Sequence, residues 1–115
     1  MRVSTKRFYE RANGETVKLG SGWEVLLATL LDERGYTWTQ PDPLTWIDSN
    51  GKTRKYYPDF YLPRYSVYLE VKSELTYKLA KDKCDYIISN YKNVIFLWNE
   101  KQIKNFSVHL NQKHY

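Results

Sequence analysis

The chain has 115 residues, a formal net charge of +5 and 42% hydrophobic residues. It is too apolar for a disordered protein, and its length suits one domain with one core. The sequence has no run of 18 apolar residues, so we expect no membrane span. It also has no apolar stretch behind the basic N-terminus, so we expect no secretory signal. The one cysteine, Cys84, cannot form an internal disulfide, which favours a reducing intracellular compartment.

The predicted elements begin with a basic arm over residues 1–20, which lacks clear apolar periodicity and holds at most a short helix. Ser21 and Glu24 have the spacing of a capping box, and the apolar pattern that follows them predicts a helix over 22–34. Gly35 is typical of the left-handed residue that ends a helix.

Extended segments follow this helix. Strands are predicted over 36–39 and 44–48, and Asn50–Gly51 predicts a type I′ turn with both residues at positive φ. The chain then returns as an extended segment over 52–62, and the alternation over 67–72 predicts a further strand.

The last third of the chain predicts a helix over 74–90, a buried strand over 94–98 and a short helix over 100–106. The strand at 94–98 should pair parallel to an earlier strand through a right-handed crossover. Together the elements predict one α/β domain over residues 21–106 with a mixed sheet flanked by helices, followed by a polar tail at 107–115.

Three charged residues in the predicted hairpin form a candidate site. Glu70 and Lys72 lie two apart on one strand, so their side chains share a face. Asp59 begins the preceding strand, and strands in a hairpin lie about 5 Å apart, so Asp59 can reach Glu70. Two carboxylates and a main-chain carbonyl suit Mg²⁺, which can activate a water for attack on a phosphodiester. The alternative is a surface hairpin with an ordinary ion pair between Lys72 and one of the acids.

The segment Tyr57-Pro58-Asp59-Phe60, with ten residues between Asp59 and the following Glu70-Val71-Lys72, resembles the PD-(D/E)xK nuclease superfamily. With Ser21-Gly22-Trp23-Glu24 opening a helix, the chain is most similar to phage endonuclease I-type Holliday-junction resolvases and related phage homing endonucleases. The resemblance covers roughly residues 20–100. It implies a single-domain restriction-endonuclease-like αβββαβ core.

The resemblance also implies roles for individual residues. Asp59 and Glu70 would bind the metal, with the backbone carbonyl of Val71 as a further ligand. Lys72 would position the hydroxide or contact the scissile phosphate. Glu24 would complete the site directly or through water, although its capping-box position gives it a purely structural alternative. Ser73 departs from the glycine that many relatives carry there. The implied cofactor is Mg²⁺, with Mn²⁺ able to substitute.

Basic residues are candidates for contacts with DNA phosphates, which set affinity and its salt dependence rather than sequence choice. We predict such contacts at Lys6, Arg7, Arg11, Lys18, Arg54, Lys78 and Lys81. His109 and His114 lack the additional Cys or His ligands that a zinc site requires. The sequence contains no glycine-rich phosphate loop, so we expect no nucleotide cofactor.

The sequence therefore predicts a Mg²⁺-dependent DNA endonuclease, a phosphodiester hydrolase of phage type that acts on duplex or branched DNA. A homing or other site-specific endonuclease and a Holliday-junction resolvase both remain open, as does a homodimer. The expected setting is a reducing cytoplasm such as that of a phage-infected bacterium. The alternative functions are a non-catalytic nucleic-acid-binding module on a nuclease scaffold and a small basic RNA-binding protein.

Overall fold

The computed structural model describes residues 7–108, which form an α/β fold of three small sheets and four helices. The strands are β1 (Arg7–Glu10), β2 (Thr16–Leu19), β3 (Leu44–Ile47), β4 (Thr53–Tyr56), β5 (Phe60–Leu62), β6 (Val67–Val71) and β7 (Val94–Leu97). The helices are α1 (Gly22–Glu33), α2 (Glu74–Leu79), α3 (Lys81–Asn90) and α4 (Glu100–Lys104). In this part of the chain no helix is long and apolar enough to cross a membrane.

The sheet that positions the candidate site has the order β5-β6-β7. β5 and β6 form an antiparallel hairpin, and β7 pairs parallel to β6 after the α2–α3 crossover, as the sequence predicted. Leu69 on β6 is fully buried, and α1 contributes Leu27 and Leu31 to the same core. The mixed sheet therefore has three strands, and β3–β4 forms a separate two-stranded sheet rather than extending it.

Helix α1 agrees with the predicted helix to within one residue. The Ser21 hydroxyl accepts a hydrogen bond from the Glu24 amide at 3.2 Å, which caps the first turn. Gly35 follows the helix at φ 78°, in the left-handed region that favours glycine. The N-cap fixes where α1 begins, and this end of the helix borders the candidate site.

The N-terminal segment differs from the prediction. Residues 7–19 form the β1–β2 hairpin and contain no helix, so the expectation of an arm with at most a short helix was wrong. The missed signal is Asn13–Gly14, because Gly14 adopts φ 91° in the turn. The hairpin packs on α1, with Leu19 buried and the Tyr9 hydroxyl donating to Asp32 Oδ2 at 2.6 Å.

Residues 36–39 were wrongly predicted as a strand. Thr39 alone pairs there, in an isolated bridge with Tyr61. Trp38 instead fills the core, and its indole donates to Asp32 Oδ1 at 2.8 Å. The burial of this one large side chain, rather than strand pairing, fixes the segment.

The turn between β3 and β4 also differs from the prediction. Gly51 has φ 78°, but Asn50 is not at positive φ, so the turn is not type I′. Asp48 Oδ1 accepts hydrogen bonds from the amides of Asn50 and Lys52, both at 2.9 Å. This side-chain acceptor favours an ordinary turn that ends at the glycine.

The predicted helix over 74–90 is broken at Ala80, which has φ −132°. In one continuous helix, Leu79 and Ile87 would share a face, because they lie eight residues apart. The structure buries Cys84 and Ile87 and leaves Leu75 and Leu79 exposed. The break gives α2 a direction independent of α3, and α2 runs away from the candidate site.

Candidate active site

Four of the predicted site residues, Glu24, Asp59, Glu70 and Lys72, line one cleft of about 480 Å³. It lies where α1 begins, where the chain enters β5 and where β6 ends. The other lining residues are Gly20, Ser21, Gly22, Trp23, Val71, Ser73 and Thr76. Three segments that are distant in sequence thus meet in one depression.

The hairpin register places the two central acids opposite each other. Phe60 pairs with Leu69 in the β5–β6 ladder, so continuing the register by one position sets Asp59 opposite Glu70. Asp59 Oδ2 accepts a hydrogen bond from the Val71 amide at 2.8 Å. This bond fixes the Asp59 carboxylate beside the end of β6.

Proline at position 58 explains why the ladder ends here. The main-chain N–H and C=O of Tyr61 both hydrogen-bond to Thr39, on the side of β5 away from β6. The N–H and C=O groups of the alternate residue Phe60 therefore point towards β6, and so would those of a strand residue at position 58. Pro58 would lie opposite Val71, but it has no N–H to donate to the Val71 carbonyl. The N–H and C=O of one strand residue point to the same side. The Val71 carbonyl is therefore directed to the side of β6 on which Asp59 lies.

Glu70 is the most buried of the acids, with 5% of its surface exposed. The Tyr56 hydroxyl donates to Glu70 Oε1 at 2.7 Å, and Lys72 Nζ lies 3.4 Å from Oε2. Burial raises the pKa of the Glu70 carboxyl above its ordinary value, while the Tyr56 hydrogen bond and the Lys72 charge oppose that rise. Both oxygens are therefore oriented by neighbours.

Asp59 lies in an unfavourable environment for a charge. Burial, followed by the charges of Glu70 and Glu24, raises the pKa of Asp59 well above its ordinary value. The Val71 amide and the Lys72 ammonium have the opposite effect but do not cancel it. A group of acids that repel one another in a cleft is stabilised by any cation that enters.

Glu24 combines the two roles that its sequence position left open. Its Oε1 accepts from the Gly20 amide at 2.8 Å, so it binds backbone just before the helix, one residue earlier than a capping box would. The same carboxylate lines the cleft with Asp59. A Cβ at Gly20 would lie 2.8 Å from Glu24 Oε2, so glycine gives this carboxylate its room.

The donor atoms in the cleft match the chemistry of a hard cation. Mg²⁺ is usually held by one or two carboxylates, with the remaining positions taken by water and substrate phosphate. Asp59, Glu70 and the Val71 carbonyl supply oxygen donors of this kind. Among residues 7–108, no group of three or more His, Cys, Asp or Glu side chains forms a ready-made metal cluster. A cation in this cleft would therefore need further ligands from water or substrate.

Two side chains at or beside the cleft have roles that the sequence left open. Tyr56 lies outside the recognised motif, and its contact with Glu70 joins two separate sheets. Ser73, noted as a departure from glycine, caps α2 by accepting from the Thr76 amide at 3.1 Å. The spacing of Ser73 and Thr76 was the available signal for this cap.

The predicted DNA-contact residues are dispersed. Lys18 lines an adjoining depression that shares Glu24 and Asp59 with the cleft. Arg54 forms an ion pair with Asp48 at 2.6 Å. The Arg11 guanidinium stacks 4.0 Å from the Trp38 ring centroid and bonds to the Trp38 carbonyl. Lys6, His109 and His114 lie outside the described residues, and Arg7 begins β1. Lys78 and Lys81 line a separate cleft near the end of α2.

Comparison with models of known protein families found no match, and no curated protein or solved structure matches the chain.

Proposed function

We propose that the chain is a Mg²⁺-dependent DNA endonuclease with a PD-(D/E)xK active site, which hydrolyses phosphodiester bonds. The observation that carries the proposal is the convergence of Glu24, Asp59, Glu70 and Lys72 in one cleft. A surface ion pair would explain Lys72 and one acid. It would not explain two further carboxylates drawn from separate segments against their mutual repulsion.

The proposal extends to the core of the fold. Helix α1, the β5–β6 hairpin, the α2–α3 crossover and β7 follow one another in the order expected for a restriction-endonuclease-like core. The separate β3–β4 sheet is a departure from a single continuous sheet. Glu70 lies on β6 of the three-stranded sheet, and Asp59 lies directly before β5 of the same sheet.

Each residue has a chemical task in this proposal. Asp59, Glu70 and the Val71 carbonyl would hold the metal, with Glu24 beside them. Bound Mg²⁺ supplies a water of lowered pKa and neutralises negative charge at the phosphate. Lys72, held by Glu70, presents its ammonium to the same cleft and orients the nucleophile or the phosphate oxygens. Mn²⁺ would bind to the same oxygen donors in place of Mg²⁺.

The substrate in this proposal is duplex or branched DNA. One cleft cuts one strand, so a double-strand break requires two visits or a second copy of the chain. A site-specific endonuclease and a junction-resolving enzyme use the same chemistry. The choice between them depends on DNA shape, which the cleft alone does not select.

A cleavage assay tests the proposal. Supercoiled plasmid and a four-way junction are incubated with Mg²⁺, and the wild type is compared with Asp59→Asn and Lys72→Met. Matched controls are Glu100→Gln and Lys104→Met, which alter an exposed ion pair on α4. We expect at least a 100-fold loss in the site variants and full activity in the controls. A wild type that binds DNA but cuts neither substrate would instead support the non-catalytic binding module.

A further inference from the structure

A second cleft, of about 470 Å³, lies near the junction of α2 and α3. Its wall combines the indole of Trp46 on β3 with Lys78, Lys81 and Lys83, against a single lining acid, Asp82. The nuclease motif does not include any of these residues.

The three lysines have different environments. Lys78 is exposed, Lys81 pairs with Asp85 at 2.6 Å on the outer surface, and Lys83 Nζ lies 5.8 Å from the Tyr56 ring centroid. Lys78 therefore presents the least encumbered ammonium at the cleft. The lysines outnumber the acid among the lining residues, so the cleft attracts anions such as phosphates and repels cations.

Trp46 gives the cleft its second property. It is half-buried, packing on one side against the cluster of Tyr56, Ile87 and Val94, while the rest of its surface faces the cleft. A rigid aromatic surface beside lysines is the combination that binds single-stranded nucleic acid, by stacking a base and pairing its phosphates.

The position of the second cleft relates it to the first. Ser73 and Thr76 at the start of α2 line the catalytic cleft, and Leu79 at its end lines the second one. The six residues of α2 span about 9 Å, so the two clefts lie at opposite ends of one short helix. A strand that follows α2 reaches both clefts.

We propose that this second cleft binds an unpaired nucleotide of the substrate strand, stacked on Trp46, while the same strand places a phosphate at Asp59 and Glu70. The inference rests on the proposed nuclease function for its substrate. It adds that the enzyme acts at a junction between paired and unpaired DNA, because the stacked base must leave the duplex.

Binding is measured on the Asp59→Asn background, so that no cleavage is needed, with a labelled 16-nucleotide single strand and its duplex. Trp46→Leu should weaken single-strand binding about fivefold or more, and Trp46→Phe should weaken it less. Lys78→Gln should reduce the slope of log affinity against log salt by about 0.7, whereas the exposed control Lys101→Gln should leave it unchanged. Lys78→Gln keeps the test decisive if the tryptophan variants are unstable.

Photo-crosslinking with 5-iodouracil then locates the strand. We expect crosslinks to Trp46 from one unpaired base of the strand that is cut. Equal losses on duplex and single strand, an unchanged salt slope in Lys78→Gln, or crosslinks elsewhere would overturn the inference. A chain that cuts DNA but behaves in that way would retain the proposed function. A chain that binds as described but never cuts would lose the function and keep the binding site.

Discussion

The hydrogen bond between Tyr56 and Glu70 permits a quantitative prediction. Tyr56→Phe removes one hydroxyl and keeps the ring that packs with Ile87 and Val94. The lost bond is 2.7 Å long, buried at both ends, and made to a carboxylate, so its removal should cost about 1.5–3 kcal/mol of unfolding free energy. For a domain of this size, about 4 °C per kcal/mol, the melting temperature should fall by roughly 6–12 °C.

Thermal denaturation followed by circular dichroism measures this change, and urea titration measures the free energy directly. Tyr86→Phe is the matched control, because Tyr86 packs against the same cluster and its hydroxyl makes no hydrogen bond within residues 7–108. The control should change stability by less than about 0.5 kcal/mol. If Tyr56→Phe and Tyr86→Phe lower the free energy of unfolding by the same small amount, the Tyr56 hydroxyl does not stabilise the buried Glu70 carboxylate. The description of the buried acid would then be wrong.

Three further predictions concern the acids. Because the pKa of Asp59 is raised, the folded protein keeps a proton that the unfolded chain releases. Stability in EDTA should therefore fall as pH rises from about 4, and Asp59→Asn should flatten that fall and raise the pH 7 melting temperature. Saturating Mg²⁺ at about 100 times its dissociation constant should stabilise the wild type by about 2.7 kcal/mol in a thermal-shift assay, and Asp59→Asn by much less. Gly20→Ala places a Cβ 2.8 Å from Glu24 Oε2, so it should weaken Mg²⁺ binding measured by calorimetry, with little change in melting temperature; unchanged affinity would show that Glu24 does not support the metal.

The sequence predicted the central part of the candidate site well because that part is local. Asp59 and Glu70 belong to one hairpin, and the turn at 63–66 sets a register that puts them opposite each other. The beginning of α1 was equally predictable, since Ser21 and Glu24 form a recognisable cap. In both cases a few neighbouring residues determine the geometry.

The wrong predictions concern segments whose structure depends on contacts with residues that are distant in sequence. No periodicity shows that Trp38 reaches the core from a segment that is not a strand, and nothing local to Tyr56 shows that it will reach Glu70 in another sheet. The break at Ala80 likewise depends on which apolar residues find a partner. Burial of side chains against remote elements overrode local preference at each of these positions.

The missing N–H of Pro58 determines which oxygen atoms line the cleft. A ladder residue with an N–H at position 58 could bond to Val71 and close the strand edge. Pro58 cannot donate, so the pairing stops and the Asp59 side chain takes the Val71 amide instead. That exchange directs a main-chain carbonyl and a carboxylate to the same side of β6, across from Glu70. The acids then repel one another without a cation, so the features that weaken the metal-free fold here are those that would bind Mg²⁺.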